Sequence, residues 1–516
     1  MRAMSRGYGP RSALVLNESD IRDGVRPAPR PRFIDGERHR SPAKRRADRA
    51  HGPVAAMART AVDGIEALGE RPVGRLLWHN ASQSTMSVGV YGIYALTNAW
   101  FVAHGVGPAA MGAVNLVAPV VLALGALSTT VGSGGASLVS RRLGAGDAEG
   151  AARAAGSAFI VFWAGAVAVA VAGLAALEPL LDLLGAHGEM RPYARDYAVV
   201  ILAGTLVGTG FSSLIRAEGR MRFATMTWVV PILVQIALEA LLVFGFDMGV
   251  RGAALGTIGG QAVSTAMSMW FFFVQRERPY RVRLVHLRPR WPTIRALLAV
   301  GSPSMMAGLG ATLLTAVVNG MLAGLGAAAA VTAYAVCARV QTFATMPQLG
   351  IGMGMQPIVG YNAGAGRGER VLRARSLALR ATLVYGAVAA AAAALFAGPV
   401  TTALLGAPSP EAETALRLIA ASFAVAGLPP LVSAYFQALG RPMPSYVISI
   451  GTLVAVKIPA VLAFGAAGVT GVWIGLAVGE ILSAAVALAA LKWRRHDGRR
   501  RAARGQLDAA ARAPSS

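Results

Sequence analysis

The chain has 516 residues, 55% of them hydrophobic and only 14% charged, with a mean hydropathy of +0.52. Soluble globular domains carry about 25% charged residues, so an ordinary soluble enzyme is excluded. Its 49 basic and 25 acidic residues leave a net charge of +24. Most of that excess sits in segments 1–72, 276–295 and 492–516, beside apolar runs, where it reads as the basic loops of a membrane protein rather than as a nucleic-acid surface.

Residues 1–72 are rich in Arg, Pro, Ala and Asp and lack the basic-then-apolar pattern of a secretory signal; they predict a disordered, basic cytoplasmic tail. Apolar runs long enough to cross a hydrocarbon core of about 30 Å then predict twelve helices. The first six fall near 74–102, 110–139, 152–176, 192–215, 223–246 and 252–275. The second six fall near 294–322, 328–358, 370–396, 412–437, 442–465 and 470–491. This divides the chain into an amino-terminal bundle (73–276), a cytoplasmic loop (277–293), a carboxy-terminal bundle (294–491) and a basic cytoplasmic tail (492–516).

Loops alternate in charge. Those after odd-numbered helices are nearly free of Arg, with Arg191, Arg195 and Arg251 the exceptions on that side. The others carry Arg141, Arg142 and Arg153, then Arg216, Arg220 and Arg222, then the seven-Arg loop, then Arg367, Arg370, Arg373 and Arg375, then Arg441. The positive-inside rule places these loops and both termini in the cytoplasm of a multi-pass plasma-membrane protein.

The halves repeat at an offset of about 220 residues. Leu183-Leu184-Gly185-Ala186 recurs as Leu404-Leu405-Gly406-Ala407, and Gly144-Ala145-Gly146 with Glu149 and Arg153 recurs as Gly364-Ala365-Gly366 with Glu369 and Arg373. With six helices per half, both halves start on the same side, so the repeat is parallel about an axis along the membrane normal. The expected fold is an all-α polytopic membrane protein with twelve transmembrane helices in two six-helix bundles. Such repeats suit alternating access, one bundle rocking against the other.

Several segments resemble the MATE (multidrug and toxic compound extrusion) family: Leu68 to Trp78, Gly134 to Ser140 leading into Arg142-Leu-Gly-Ala-Gly-Asp147, Arg216-Ala-Glu-Gly219, Gly249 to Leu255, and Gln356-Pro-Ile-Val-Gly-Tyr-Asn362. The resemblance covers residues 68–492 in order. It implies a secondary antiporter that exports organic, often cationic or amphipathic, compounds in exchange for protons or sodium ions. Many family members have an Asp in the first helix, an Asn and Asp four residues apart in the fifth and a Thr in the sixth. At the matching positions stand Asn98, Gln235, Glu239 and Thr257. One carboxylate in place of two disfavours sodium, because a hard cation wants several anionic oxygens; the resemblance therefore implies proton coupling ahead of sodium.

Glu239 stands out without the family. It interrupts an apolar run, where a charged side chain costs about 3 kcal/mol, and Gln235 lies four residues earlier on the same helix face. It serves either as a proton carrier or as interhelical glue. Lys457 and Glu480 are further ionisable residues in apolar runs, free to snorkel or to pair. Asn319, Gln341 and Gln356 are candidate substrate contacts in the second bundle. Scattered histidines and the single Cys337 predict neither a metal centre nor a disulfide, and no cofactor is expected.

Three functions compete: an exporter of organic compounds, a lipid-linked precursor flippase of the same superfamily, and a membrane enzyme. The flippase needs a cationic central cleft, for which Arg339 and Lys457 are candidates; the enzyme lacks clustered Asp or His at helical spacing. The preferred expectation is a monomeric antiporter whose partners are a small molecule and the bilayer, with no nucleic acid.

Overall fold

The computed structural model describes residues 64–208, 211–275 and 278–511. Among these it contains helices and their connections and no strand. The long helices are α1 (Val73–Gly105), α2 (Pro108–Gly144), α3 (Ala148–Ala175), α4 (Met190–Ala217), α5 (Met221–Gly245) and α6 (Gly249–Met269, extended by a π-helical turn Trp270–Val274). They continue as α7 (Trp291–Gly324), α8 (Ala328–Gly364), α9 (Gly368–Leu395), α10 (Pro410–Ala438), α11 (Pro442–Gly465) and α12 (Val469–Ala511). Each predicted run falls on one of them. Ten are long and apolar enough to cross a membrane; α6 and α8 complete the twelve. The chain is a multi-pass membrane protein of two six-helix halves.

The repeat is visible in local geometry. Gly146 (φ 74°) and Gly366 (φ 70°) make the same left-handed turn between α2 and α3 and between α8 and α9, a conformation that L side chains resist. The short helices Leu177–Leu183 and Ala397–Leu405 likewise occupy matching places before α4 and α10.

Contacts between the halves obey the same two-fold logic. A Cβ built on Gly144 would strike the Tyr361 carbonyl, and one on Gly364 would strike the Arg141 carbonyl; each contact is the other moved by 220 residues. Gly134 packs on the Leu297 backbone, while its counterpart Gly354 packs on Asn80 and Ala81. Small residues let α2 cross α7, and α8 cross α1, at backbone contact, the usual basis of helix association in lipid. Leu68 and the start of α1 (Val73, Leu76, Leu77) pack into the core of the second half, and Leu297 of α7 into that of the first.

All these contacts lie at the end that carries the basic loops. At the other end each half has its own core, one around Val117 and Leu202 and one around Leu322 and Leu416, with no shared residue. Gly125 and Gly308, midway along α2 and α7, and Gly320 near the far end of α7 face open space. A cleft therefore separates the halves, closed at the basic end and open opposite it.

Residues 64–70 depart from the expected disordered tail: they are helical. Gly64 lies against Gly219, while Asn362 Nδ2 (2.9 Å) and Arg370 Nη2 (3.2 Å) donate to the Leu68 carbonyl and Arg367 Nη1 (2.6 Å) to that of Gly69. Ile65 and Leu68 supply apolar anchors, and the second half caps the carbonyls that a helix end leaves unsatisfied. The segment straps the two halves together. Residues 1–63 of the expected tail lie outside the described residues. At the other terminus the α12 helix continues past its expected end at 491, to Ala511.

The connection between the halves is docked on the first one. Arg278 pairs with Glu218, both side chains 1% exposed, and Tyr280 donates to Glu218 Oε1 at 2.6 Å. The guanidinium also lies 4.7 Å from the Phe271 ring centre and 4.5 Å from that of Phe272.

Candidate functional site

Glu239 lies in the last turn of α5 before a π-helical turn, Leu241–Gly245, and is completely buried. What lets a carboxyl fit is the close approach of α6. Gly256 touches the Glu239 backbone and Cγ, and Gly260 lies 2.8 Å (built Cβ) from Gln235 Cβ, so any side chain at either position would force α5 and α6 apart.

Three donors converge on one oxygen. Gln235 Nε2 (2.7 Å), Asn98 Nδ2 (2.8 Å) and Thr257 Oγ1 (3.3 Å) all reach Glu239 Oε1, and Gln235 Nε2 also donates to Thr257 Oγ1 at 3.1 Å. Glu239 Oε2 is buried with no hydrogen-bond partner among the described residues. Helices α1, α5 and α6 thus bring together all four residues expected of the ion site. The sequence reading missed Tyr94, one turn before Asn98 on α1, whose hydroxyl interacts with Thr257 and Gln235; its spacing of four from Asn98 was the available signal.

Two amide nitrogens and a hydroxyl donate to Oε1, which leaves Oε2 as the oxygen on which a proton can sit. As oriented, the cluster presents amide nitrogens to its centre, not the several oxygens that a sodium ion requires. The same crossing recurs in the second half with an ion pair in place of the lone carboxyl. There Gly475 packs on the backbone of Ala460 and Val461, and one turn away Lys457 Nζ pairs with Glu480 Oε1 at 2.5 Å.

The three expected substrate contacts are not gathered. Asn319 is exposed near the end of α7 at the open end of the cleft. Gln341 is half-buried on α8, about 22 Å along the helix from Gln356. Gln356 instead lines a small cavity between the halves, with Ser137, Ser140, Ser213, Arg216, Met353 and Ala438. Arg216 is a correction: expected in a basic loop, it belongs to the end of α4 and is buried, because α2 and α8 close over it. Another buried group the reading passed over is Gln348 of α8, which donates to the Phe423 carbonyl at 3.2 Å.

Twelve helices in two parallel repeats with a cleft between them are the architecture of a membrane transporter. The pattern that defines the MatE family matches residues 85–241 and 303–463, one stretch in each half, and the chain belongs to the MATE family. It is 24% identical over 426 residues to a FAD transporter of Shewanella oneidensis, covering 80% of this chain and 92% of that one. It is 25% identical over 430 residues to the multidrug export protein MepA of Staphylococcus aureus, covering 81% and 93%. Among solved structures, an outward-facing MATE-family multidrug resistance transporter of the MOP superfamily superposes with a TM-score of 0.78 at 24% identity, over 85% of this chain and 98% of that one. A MOP-superfamily transporter from Pyrococcus furiosus gives the same values.

Proposed function

We propose that the chain exports amphipathic organic compounds across the plasma membrane in exchange for protons, with Glu239 carrying the coupling proton. The observation behind this reading is the asymmetry of the buried carboxyl: three donors on Oε1 and none on Oε2. Such a group is held by hydrogen bonds at one oxygen and leaves the other open to a proton, so a change of partners in the opposite state would change its protonation. The multidrug export named for a relative such as MepA supports the cargo class. With the basic end cytoplasmic, the cleft described above opens outward, the state in which an exporter releases cargo and takes up its coupling ion.

The test is efflux from proteoliposomes under an imposed proton gradient or, separately, a sodium gradient. Glu239→Gln keeps the size and fixes the uncharged form. It should insert normally, since losing a charge from the lipid phase is not costly, and should reduce proton-driven efflux to background. Glu239→Asp should retain part of the activity, and Asn98→Asp, by adding a second carboxylate, should make efflux more responsive to sodium. Full proton-driven efflux by a well-inserted Glu239→Gln protein would defeat the assignment.

A further inference from the structure

The cavity on the floor of the cleft holds a charge that proton coupling does not use. Arg216 is only 5% exposed. Its Nη2 meets hydroxyls alone, Ser213 at 3.0 Å and Ser212 at 3.5 Å. The nearest acid along the chain, Glu218, is held by Arg278 and Tyr280. A guanidinium has five N–H donors, so most of those on Arg216 have no protein acceptor among the described residues. Burying a cation without a counter-charge is unfavourable, and a protein that does so at a cavity wall leaves an unfilled demand for an anion.

The surroundings answer that demand. Ser137, Ser140 and Ser213 from the first half and Gln356 from the second line the same cavity; the Ser137 and Ser140 hydroxyls donate to the Gln437 and Ser137 carbonyls, which leaves Ser213 and Gln356 to join Arg216 as donors. Arg141 lies one turn beyond Ser137, its Nε donating to the Ser137 carbonyl at 3.2 Å, and adds a second positive charge nearby. The position of Arg216 in the repeat is taken in the second half by Gln437, an amide whose Oε1 accepts from Ser304 at 3.0 Å and whose Nε2 donates to Ser433 at 3.1 Å. Among the residues that line the cavity, Arg216 is the one charged side chain. The cavity measures about 10 Å³, room for one water-sized atom. It accepts the tip of an anionic group and excludes a whole organic molecule.

We propose that Arg216, with Ser213 and Gln356, is a subsite for the anionic oxygen of a carboxylate or phosphoryl group on the transported compound. The inference rests on the exporter reading and narrows its cargo to compounds that carry such a group beside their apolar body. Because the lining comes from both halves, an anion there bridges them only while the floor is closed. Separation of the halves divides its ligands.

Fluorescence polarisation on the purified full chain tests this with two dyes, carboxyfluorescein, which bears carboxylates, and ethidium, which is a cation. Hydrogen bonds to a charged group are strong enough that Arg216→Gln should weaken carboxyfluorescein binding roughly tenfold or more. Arg216→Lys should restore part of it, and inorganic phosphate should compete with carboxyfluorescein. Equal weakening of both dyes by Arg216→Gln would show a packing role and overturn the proposal. Should Arg216→Gln fail to insert, the native protein decides: phosphate that displaces both dyes alike, or neither, overturns the subsite. Phosphate that raises thermal stability without competing with carboxyfluorescein would mark a site for a free inorganic anion, which also overturns it. Dyes that bind as expected but do not move under any gradient would instead count against the exporter reading and leave the subsite standing.

Discussion

Gly364→Ala tests whether the glycine contacts at the basic end hold the cleft floor closed. The added Cβ would stand 2.8 Å from the Arg141 carbonyl carbon and 3.0 Å from its Cα, with the carbonyl oxygen nearer still, where ordinary contact begins at 3.4 Å. The obstacle is backbone, so no side chain can swing aside, and α2 and α8 must separate by about 1 Å to restore normal contact. Overpacking of this kind costs about 1–3 kcal/mol. The cost falls on the closed floor alone, because a state in which the halves part at this end has no such contact. A penalty of that size shifts the ratio of closed to open floors by roughly 5- to 150-fold. In a Cys337→Ala background, Ala438→Cys places a single thiol in the floor cavity, and a membrane-impermeant maleimide applied from the basic side reports its opening. Gly364→Ala should speed labelling at least about fivefold, and Gly144→Ala, its repeat counterpart, should act in the same direction. Unchanged labelling in a well-inserted Gly364→Ala protein would mean that these contacts do not govern the floor.

Arg370→Ala removes donors to the Leu68 and Arg71 carbonyls and to Asn362 Oδ1; hydrogen exchange at the amides of residues 64–72 should rise at least about tenfold, as expected for a loss of about 1.4 kcal/mol or more. Glu218→Gln leaves the buried Arg278 guanidinium without its counter-charge, and thermal denaturation should show a loss of about 3–5 kcal/mol, against about 1.5–3 kcal/mol for Tyr280→Phe, which deletes one hydrogen bond to the carboxylate. Burial and then the adjacent Glu218 carboxylate push the Tyr280 phenol well above its ordinary range. A raised phenol costs no stability while both folded and unfolded forms are protonated; stability falls as pH climbs past about 10, where the unfolded chain releases the proton first. Tyr280→Phe should flatten that alkaline decline.

What a chain of this kind discloses before its structure is known depends on the range over which each property is set. The twelve helices and their order follow from local hydropathy, and the positions of the loops follow from arginines beside apolar runs. The repeat is legible in Leu183-Leu184-Gly185-Ala186 and its partner because the same turn needs the same residues twice. Glu239 and Gln235 are linked by the helix period itself. Asn98 and Thr257 come from other helices, and only the family register points to them. Arg216 is different in kind: an arginine where a helix meets a basic loop has the same local signature whether it faces water or is covered. Its burial is decided by α2 and α8, which arrive from distant parts of the chain and cross over it because Gly144 and Gly364 allow backbone contact. The scatter of Asn319, Gln341 and Gln356 has the same origin, since a polar residue on an apolar helix shows neither its depth nor the neighbour it faces. In a membrane, hydropathy separates the inside of the bilayer from the outside, but it does not separate lipid from cleft. The contacts that do so here are glycine crossings, and it is their two-fold arrangement that turns two similar halves into one protein with a floor, a cleft and an off-centre charge.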